Sequence, residues 1–411
     1  MRRKQHAARV AVLGGGFQGC CLALALAQRG FRTTVFEREQ GLLRRTLLAS
    51  EGKVHLGYVY AGDESLQTAR TMIRGALAFA PFIARVLESP SAGLAISSPF
   101  AYAVHQTSFR NAAEMSGYLQ AVHTEILQQA AGREDSYFGI DLSWPPRERK
   151  PAELEDGFDP RAVTAVFDTV EVAVRPKTLA EALRIRIESD PSIEVRTDFL
   201  VTAVAGDGGG YRIEGKANED GTHRRYDHVV NALWDGRLVI DRKRGLEPGR
   251  PWLHRFKYGI QLGPRPRVQL PSATVVLGPF GDVVSYGDGS AYLSWYPAGM
   301  TALSAAVTPP DWPMRPESPL RDRLVRESIA GMASIVPGLR SLDAADLEQA
   351  EAIGGVIVAW GKTDIDDPQS ELHQRRDIGI RSEGCYHSID PGKLTMAPYF
   401  AERCAARIAG E

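Results

Sequence analysis

Three glycines and one acid near the start of the chain have the types and spacing of a dinucleotide-binding site. Gly14, Gly16 and Gly19 fit the pattern G-x-G-x-x-G, and Glu37 follows about 20 residues later. Gly14 would make a tight turn, Gly16 would let backbone amides approach a pyrophosphate, and Gly19 would let a helix pack closely on a strand. The helix start adds positive potential for phosphates, and the Glu37 carboxylate suits a ribose. An acid there disfavours NADP, but the motif alone does not separate FAD from NAD.

A second candidate site lies near the other end of the chain, where Gly392-Lys393-Leu394-Thr395 leads into an apolar stretch. The pattern predicts a helix with Thr395 as its N-cap and Pro398 in its first turn. Amides at the helix start and the Lys393 ammonium would direct positive potential at one place. Such a place suits negative charge that develops on a bound group as it is reduced.

Two histidines are candidates for proton transfer. His55 follows the first strands of the chain, and His387 precedes the Lys393 segment. An imidazole with a pKa near 6.5 can accept the proton of a hydroxyl group as hydride leaves the adjoining carbon. An amine can deliver hydride from its neutral form without a protein base, so the need for such a base depends on the substrate.

The elements that must position these residues follow from the hydrophobic pattern. An apolar strand at 10–13, an Ala- and Leu-rich helix at 17–28 and a strand at 33–36 form a βαβ unit. Further helices are predicted at 65–87, 114–129, 178–189, 320–334 and 396–408. Strands are predicted at 193–195, 200–204, 211–214, 228–233, 355–360 and 378–381, and an antiparallel sheet extends from 234 to about 297. Arg255, Tyr258, Trp295 and Tyr296 lie in that sheet, where an arginine could hold a carboxylate.

Composition excludes several classes of protein. The chain has 411 residues, a formal net charge of -1 and four cysteines without metal-binding spacing. It therefore shows no basic footprint for nucleic acid and no disulfide framework, and we expect no metal site. No stretch is long and apolar enough for a transmembrane helix, and the apolar run after the basic start is too short for a signal peptide. We accordingly expect a cytoplasmic protein whose partner is a small-molecule substrate; the oligomeric state is left open.

Four segments resemble flavoproteins of the D-amino-acid-oxidase-like superfamily, which includes glycine oxidase and sarcosine oxidase. The first is the βαβ unit at 10–37. The second contains His55, Gly57 and Tyr60, which match a His-x-Gly-x-x-Tyr stretch of L-2-hydroxyglutarate dehydrogenases. Residues 174–179 resemble the entry to the family's middle helix, and residues 391–398 are similar to the Gly-Lys-Leu-Thr signature of FAD-dependent glycerol-3-phosphate dehydrogenases.

The resemblance implies an α/β fold (α+β overall), in which a Rossmann-type FAD-binding domain is interleaved with an antiparallel-sheet substrate domain. The FAD-binding domain would comprise residues 1–60, 160–235 and 350–411, and the substrate domain residues 61–159 and 236–349. Candidate FAD-binding residues are Gly14, Gly16, Phe17, Gln18, Gly19, Glu37, Arg38, Lys53, Gly392, Lys393, Leu394 and Thr395. Candidate catalytic residues are His55, His387 and Lys393.

The function that follows is an FAD-dependent oxidoreductase that oxidises a CH–NH or CH–OH group of a small or medium polar substrate by hydride transfer to flavin. A flavin-dependent monooxygenase or hydroxylase is one alternative, although Gly287-Asp288 lacks the sequence expected to follow that class's Gly-Asp motif. A non-catalytic dinucleotide-binding protein is another. The Gly-Lys-Leu-Thr segment disfavours it, because simple dinucleotide binding has no use for a charge aimed at a flavin ring.

Overall fold

The computed structural model describes residues 8–89, 94–217, 224–264, 268–375 and 377–411. The basic start of the chain, residues 1–5, lies outside this part. The strands within it are β1 (Arg9–Leu13), β2 (Arg32–Phe36), β3 (Phe100–His105), β4 (Arg147–Glu148), β5 (Val163–Asp168), β6 (Ile193–Arg196), β7 (Phe199–Asp207), β8 (Gly210–Ala217), β9 (Arg225–Tyr226), β10 (His228–Asn231), β11 (Trp252–Leu262), β12 (Ser272–Val276), β13 (Gly281–Ser285), β14 (Ala291–Trp295), β15 (Met300–Ser304), β16 (Glu351–Trp360), β17 (Gly379–Glu383) and β18 (Tyr386–Asp390). The helices are α1 (Phe17–Ala27), α2 (Gln67–Val86), α3 (Ala112–Ala130), α4 (Pro176–Glu188), α5 (Arg237–Lys243), α6 (Tyr296–Gly299), α7 (Leu320–Ala333), α8 (Ala344–Gln349) and α9 (Ala397–Ala409).

The first sheet is six-stranded and mostly parallel, in the order β17-β18-β10-β1-β2-β6. Strand β1 pairs in parallel with β10 and with β2, whereas β17 runs antiparallel to β18. Helix α1 covers this sheet, and its residues 17–26 are buried on every side because α9 packs over it. This arrangement confirms the predicted Rossmann-type βαβ unit.

The second sheet has nine strands and is mostly antiparallel. Its order is β15-β11-β14-β13-β12-β3-β5-β4, with β16 paired to β11, and β12 and β3 form a parallel pair. Helix α7 packs on one face and shares a core with β11 and β14 through Leu324, Met332, Phe256 and Leu293. The third sheet is the antiparallel hairpin of β7 and β8 with β9, and Gly208 and Gly209 form the turn of the hairpin.

Strand pairing affects where domain boundaries can be drawn. Strands β5 and β16 belong to the nine-stranded sheet, although residues 160–235 and 350–411 were expected in the FAD-binding domain. We therefore propose that the boundaries of the interleaved domains lie closer to residues 169 and 361. None of the described helices is long and apolar enough to cross a membrane.

An extended segment, residues 52–56, connects the two large sheets. Val54 N donates to Val172 O (3.0 Å), and Val174 N donates to Gly52 O (2.9 Å). Gly52 has φ +72°, and a Cβ there would lie 1.9 Å from the Val174 carbonyl oxygen. The close approach of these two chains therefore requires glycine.

We expect Gly52→Ala to lower the free energy of unfolding by about 2–4 kcal/mol, since it adds a clash to an unfavourable φ. Gly30→Ala is the matched control: Gly30 has φ +80°, but no atom of the described chain lies within 4 Å of its added Cβ, so only about 1–2 kcal/mol is expected. Urea unfolding of both variants measures the difference. Equal losses at the two positions would contradict the close approach.

Candidate functional site

A cavity of about 550 Å³ extends from the glycine turn after β1 to the loop before α9. Its walls come from the ends of β1, β2 and β10 in the first sheet and from β11, β12, β13 and β16 in the second. Chemical groups from both sheets therefore converge on one space.

Of the three glycines of the motif, Gly14 and Gly19 pack closely against other backbone, whereas Gly16 faces open space. A Cβ at Gly14 (φ +101°) would lie 2.7 Å from Ala232 O, and a Cβ at Gly19 would lie 1.9 Å from Gly14 O. A Cβ at Gly16 would meet no heavy atom of the described residues within 4 Å, and Gly16 lines the cavity. Helix α1 begins at the next residue without a side-chain cap. Its uncapped amides offer a site for an anion such as a pyrophosphate.

The carboxylate of Glu37 lies beside this turn. It accepts hydrogen bonds from the amides of Gly15 (2.7 Å) and Glu39 (2.9 Å). Burial raises the pKa of Glu37, although the two amide bonds oppose the rise. Arg38 lines the cavity and pairs with Asp235 at 2.8 Å.

Gln18 also lines the cavity. Both polar atoms of its side chain are buried without a hydrogen-bond partner among the described residues. Burying such atoms unpaired costs free energy, so a ligand with donors and acceptors fits here. Together with the open face at Gly16, this end of the cavity fits a dinucleotide.

A buried ion pair lies at the other end of the cavity. The Lys53 ammonium contacts Asp282 Oδ1 (2.9 Å) and the Thr274 hydroxyl, and it lies 4.1 Å from the centroid of the Phe100 ring. Thr274 Oγ1 donates to Asp282 (2.7 Å). Burial alone would raise the pKa of Asp282, but Lys53 and Lys257 outweigh it and lower that pKa to about 2.

Strand β11 adds two cations to the same end. Arg255 and Lys257 are two residues apart, so their side chains lie on the same face of the strand. Arg255 pairs with Asp364, and Lys257 Nζ lies 4.6 Å from the centroid of the Tyr296 ring. Tyr296 and both cations line the cavity, whereas Tyr258 donates to Pro313 O (2.7 Å). Trp295 packs on helix α7 at Gly331 and is not among the described lining residues.

Arg375 and Lys393 complete this group of cations. Arg375 is 5% exposed, and its guanidinium makes one long bond to Val358 O (3.4 Å) and no salt bridge within the described chain. Burial lowers its pKa, and repulsion from Arg255 adds to the effect. Burial likewise lowers the pKa of Lys393 to about 8, and Arg375, Lys257 and Lys53 add to this effect. Both groups are positioned to receive an anion.

His55 lines the cavity between these cations and the core. Its ring centroid lies 5.5 Å from that of Tyr60, and Nδ1 is buried without a hydrogen bond in the described part of the chain. Burial lowers the pKa of His55 well below its usual value, and Lys393, Lys53 and Arg375 lower it further. The imidazole is therefore neutral at ordinary pH.

Most of the sequence-predicted residues lie around the cavity. Those lining it are Gly14, Gly16, Phe17, Gln18, Glu37, Arg38, Lys53, His55, Gly392, Lys393 and Leu394. Gly19 lies behind the turn, where α1 packs on β1.

The structure does not bring two predicted residues to the cavity. His387 lies on β18 with its ring stacked on His228 (centroids 5.7 Å apart) and Nδ1 against Ser382 (2.8 Å), so it is not among the described lining residues. The N-cap role predicted for Thr395 is wrong. Its buried hydroxyl instead accepts from His55 N (2.9 Å) and donates to Lys53 O (3.3 Å).

Sequence reasoning missed several charged residues of this site, among them Asp282, Lys257, Glu171 and Arg375. Lys257 had a detectable signal, because it alternates with Arg255 along a strand. Glu171, which lies behind His55, interrupts an apolar run between Val170 and Val172. Arg375 lies in a loop without periodic pattern, and nothing in the sequence singles it out from other arginines.

Comparisons with known proteins agree with this geometry. A family model described as FAD dependent oxidoreductase matches residues 9–405. No curated protein sequence matches the chain significantly.

Several solved structures have a similar fold. Glycine oxidase from Geobacillus kaustophilus is 16% identical with a TM-score of 0.68, over 98% of this chain and 96% of that one. L-alpha-glycerophosphate oxidase from Mycoplasma pneumoniae, solved reduced with FAD bound, is 17% identical with a TM-score of 0.64, over 99% and 96%. L-proline dehydrogenase from P. horikoshii is 15% identical with a TM-score of 0.65, over 98% and 93%. At these identities the likeness shows the fold.

We expect Gly16→Val to yield folded protein with little bound FAD, because the new side chain would occupy open cavity at the pyrophosphate position. Gly249→Val is the control, since Gly249 also has nothing within 4 Å of its added Cβ and lies outside the cavity lining. Absorbance of the purified proteins, and of the flavin released by acid, measures the FAD content. Full FAD in Gly16→Val would contradict the assignment of this turn.

Proposed function

Because this chain belongs to the DAO family of FAD-dependent oxidoreductases, we propose that it oxidises the CH–NH group of an amino acid or related amine that carries a carboxylate. The glycine oxidase and proline dehydrogenase with similar folds are named for substrates of this kind. The further support comes from the chain's own cavity.

The observation that carries the proposal is the guanidinium of Arg375. It is buried, lines the cavity, bonds only to Val358 O and has no carboxylate partner within the described residues. An unpaired buried charge is costly, and a bidentate carboxylate is the partner that best recovers the cost. A substrate carboxylate at Arg375 would lie in the same part of the cavity as His55 and Lys393.

FAD, when bound, supplies the acceptor for the substrate's hydride. Gly14, Gly16 and the start of α1 would hold its pyrophosphate, Glu37 a ribose, and Lys393 would provide positive charge near the reducible ring. As the substrate C–H bond breaks, its hydride leaves and the nitrogen lone pair forms a C=N bond. With cofactor and substrate bound, the walls from both sheets would limit the access of water, which would strengthen each of these charge interactions.

A hydroxy acid is the second candidate substrate, and His55 is the observation that favours it. A hydroxyl group must lose its proton as hydride leaves, and His55 provides a neutral imidazole on the cavity wall. The hydroxylase alternative gains no support. Asp288 of its Gly-Asp pair forms a turn with Ser290 and pairs with Arg175, away from the described cavity lining. A purely dinucleotide-binding role would not require the buried cations Arg375 and Lys393 on the cavity wall.

Anaerobic mixing of the holoenzyme with amino acids, N-substituted amino acids, hydroxy acids and the matching amines that lack a carboxylate tests the proposal. We expect flavin bleaching with carboxylate-bearing amines. In Arg375→Met, kcat/KM for these should fall about 10²–10³-fold, the effect of removing one partner of a buried charge pair.

The matched control is Arg250→Met, because Arg250 pairs with Asp377 and lies outside the cavity lining. Its kinetics should equal those of the wild type. Equal losses in Arg375→Met for substrates with and without a carboxylate would show that Arg375 does not bind that group.

We expect Lys393→Met to lower the flavin midpoint potential by about 30–60 mV, the equivalent of ~1.5–3 kcal/mol for a charged contact in a two-electron couple. Because the pKa of Lys393 lies at about 8, its charge is present below that pH and lost above it. The difference from wild type should therefore be full well below pH 8 and small well above it. Redox titration of wild type and variant well below and well above pH 8 checks this, with Lys216→Met on β8 as a control. An unchanged midpoint potential in Lys393→Met would show that Lys393 does not act on the flavin.

A further inference from the structure

A carboxyl group lies directly behind His55, outside the cavity. Glu171 is fully buried and follows β5 in the chain. Its Oε2 accepts a hydrogen bond from Leu56 N, and its Oε1 accepts one from the Tyr102 hydroxyl. Since a backbone amide can only donate, the Oε2 position must always hold an acceptor.

The free side of Oε1 is directed at the His55 ring. The distance from His55 Nδ1 to Glu171 Oε1 is 3.8 Å, and Nδ1 is buried without a hydrogen bond among the described residues. A small approach makes an Nδ1–H···Oε1 bond and satisfies a buried polar atom whose isolation would cost about 1–3 kcal/mol. The Nε2 atom is not among the buried unpartnered atoms, and the ring lines the cavity.

We propose that Glu171 is a positioning residue that holds the proton of His55 on Nδ1 and leaves the Nε2 lone pair toward the cavity. The tautomer matters because only an unprotonated Nε2 can accept a proton from a substrate. This inference rests on the proposed function only for its consequence in turnover; the tautomer itself is a property of the protein.

Burial and the charges around the pair keep the histidine neutral. The surrounding cations are Lys53, Lys393 and Arg375, all of which lower the pKa of His55, and the nearby carboxylate is Asp282. The tyrosines that face the pair are Tyr58, Tyr60, Tyr102, Tyr118 and Tyr137, and all have raised pKa values, so they remain neutral.

Glu171 is the group of the pair that titrates near neutral pH. Burial raises its pKa to about 7, while Lys53, Tyr102 and the Leu56 amide oppose the rise. Above this pH the carboxylate accepts the Nδ1 proton. Below it the acid proton must lie on Oε1, because Oε2 faces the Leu56 amide. Since the Tyr102 hydroxyl has no other acceptor among the described residues and keeps donating to Oε1, the acid proton is directed at Nδ1, and an Oε1–H···Nδ1 bond requires the Nε2–H tautomer. The tautomer of His55 therefore inverts as the pH falls through the pKa of Glu171.

Glu171→Gln gives a sharp test. The side-chain carbonyl oxygen of the introduced amide would have to face Leu56 N, so its NH₂ group would take the Oε1 position and donate to Nδ1. We expect ¹⁵N-histidine NMR of the holoprotein, with His55 assigned through His55→Gln, to show Nδ1–H in wild type well above pH 7 and Nε2–H in Glu171→Gln. Tyr102→Phe is the matched control: it removes the other bond to Oε1 but keeps the carboxylate, so Nδ1–H should remain.

The reductive half-reaction with a hydroxy acid should slow about 10²–10⁴-fold in Glu171→Gln, the range of general-base catalysis. The decrease of the wild-type rate at low pH should be absent from the pH profile of the variant. If the variant does not fold, ¹⁵N-histidine NMR of the wild type alone tests the inference. Its His55 should carry the proton on Nδ1 well above pH 7 and on Nε2 well below it. Nε2–H in wild type at high pH, or Nδ1–H in Glu171→Gln, would overturn the inference. Failure of the proposed function would appear differently, as a wild-type flavin that no amino or hydroxy acid reduces while the tautomer pattern is intact.

Discussion

The chemistry-bearing residues depend on how one short extended segment is held. Residues 52–56 pair through their backbone with residues 172–174, and the Thr395 hydroxyl bridges Lys53 O and His55 N. Side chains alternate along an extended chain, so Lys53 and His55 share the cavity face while Val54 and Leu56 enter the core. This backbone pairing and the Thr395 hydroxyl thereby fix the positions of the Lys53 ammonium, the His55 imidazole and the loop before α9 relative to each other.

The charge balance of the cavity follows from this arrangement. Five cations line the end away from the glycine turn, and two of them, Lys53 and Arg255, are paired with Asp282 and Asp364. The rest have no salt bridge within the described residues. A protein interior does not keep such charges without compensation. The Glu51 carboxylate, which also lines the cavity, offsets part of this charge at Lys393 and Lys257. An anion bound at this end of the cavity would offset more of it, and negative charge that develops during a reaction would be stabilised by groups already in place.

The sequence predicts the first sheet well and the site only in part. The βαβ unit at 10–36 is confirmed because a buried parallel strand, a glycine turn and an Ala- and Leu-rich helix are local signals. Strand β16 lies within residues expected in the FAD-binding domain, yet it pairs with β11 of the second sheet, because a strand's sequence indicates burial and not its neighbours. Thr395 was expected to cap a helix, as its type and position suggest, yet its hydroxyl bonds to residues more than three hundred positions away. Arg375 illustrates the same limit, since its role depends on which loop reaches the cavity.

The burial of Glu171 shows how core and site are built from the same contacts. An apolar residue at this position would leave the Leu56 amide and the Tyr102 hydroxyl without acceptors, each at a cost of about 1–3 kcal/mol. A carboxylate satisfies both, and Lys53, which also contacts Asp282, offsets part of its charge. The same carboxylate faces His55 Nδ1 at 3.8 Å. The acid that completes the hydrogen bonding of the core therefore also faces the imidazole on the cavity wall, so one carboxyl group serves both the stability of the core and the proposed tautomer of the histidine.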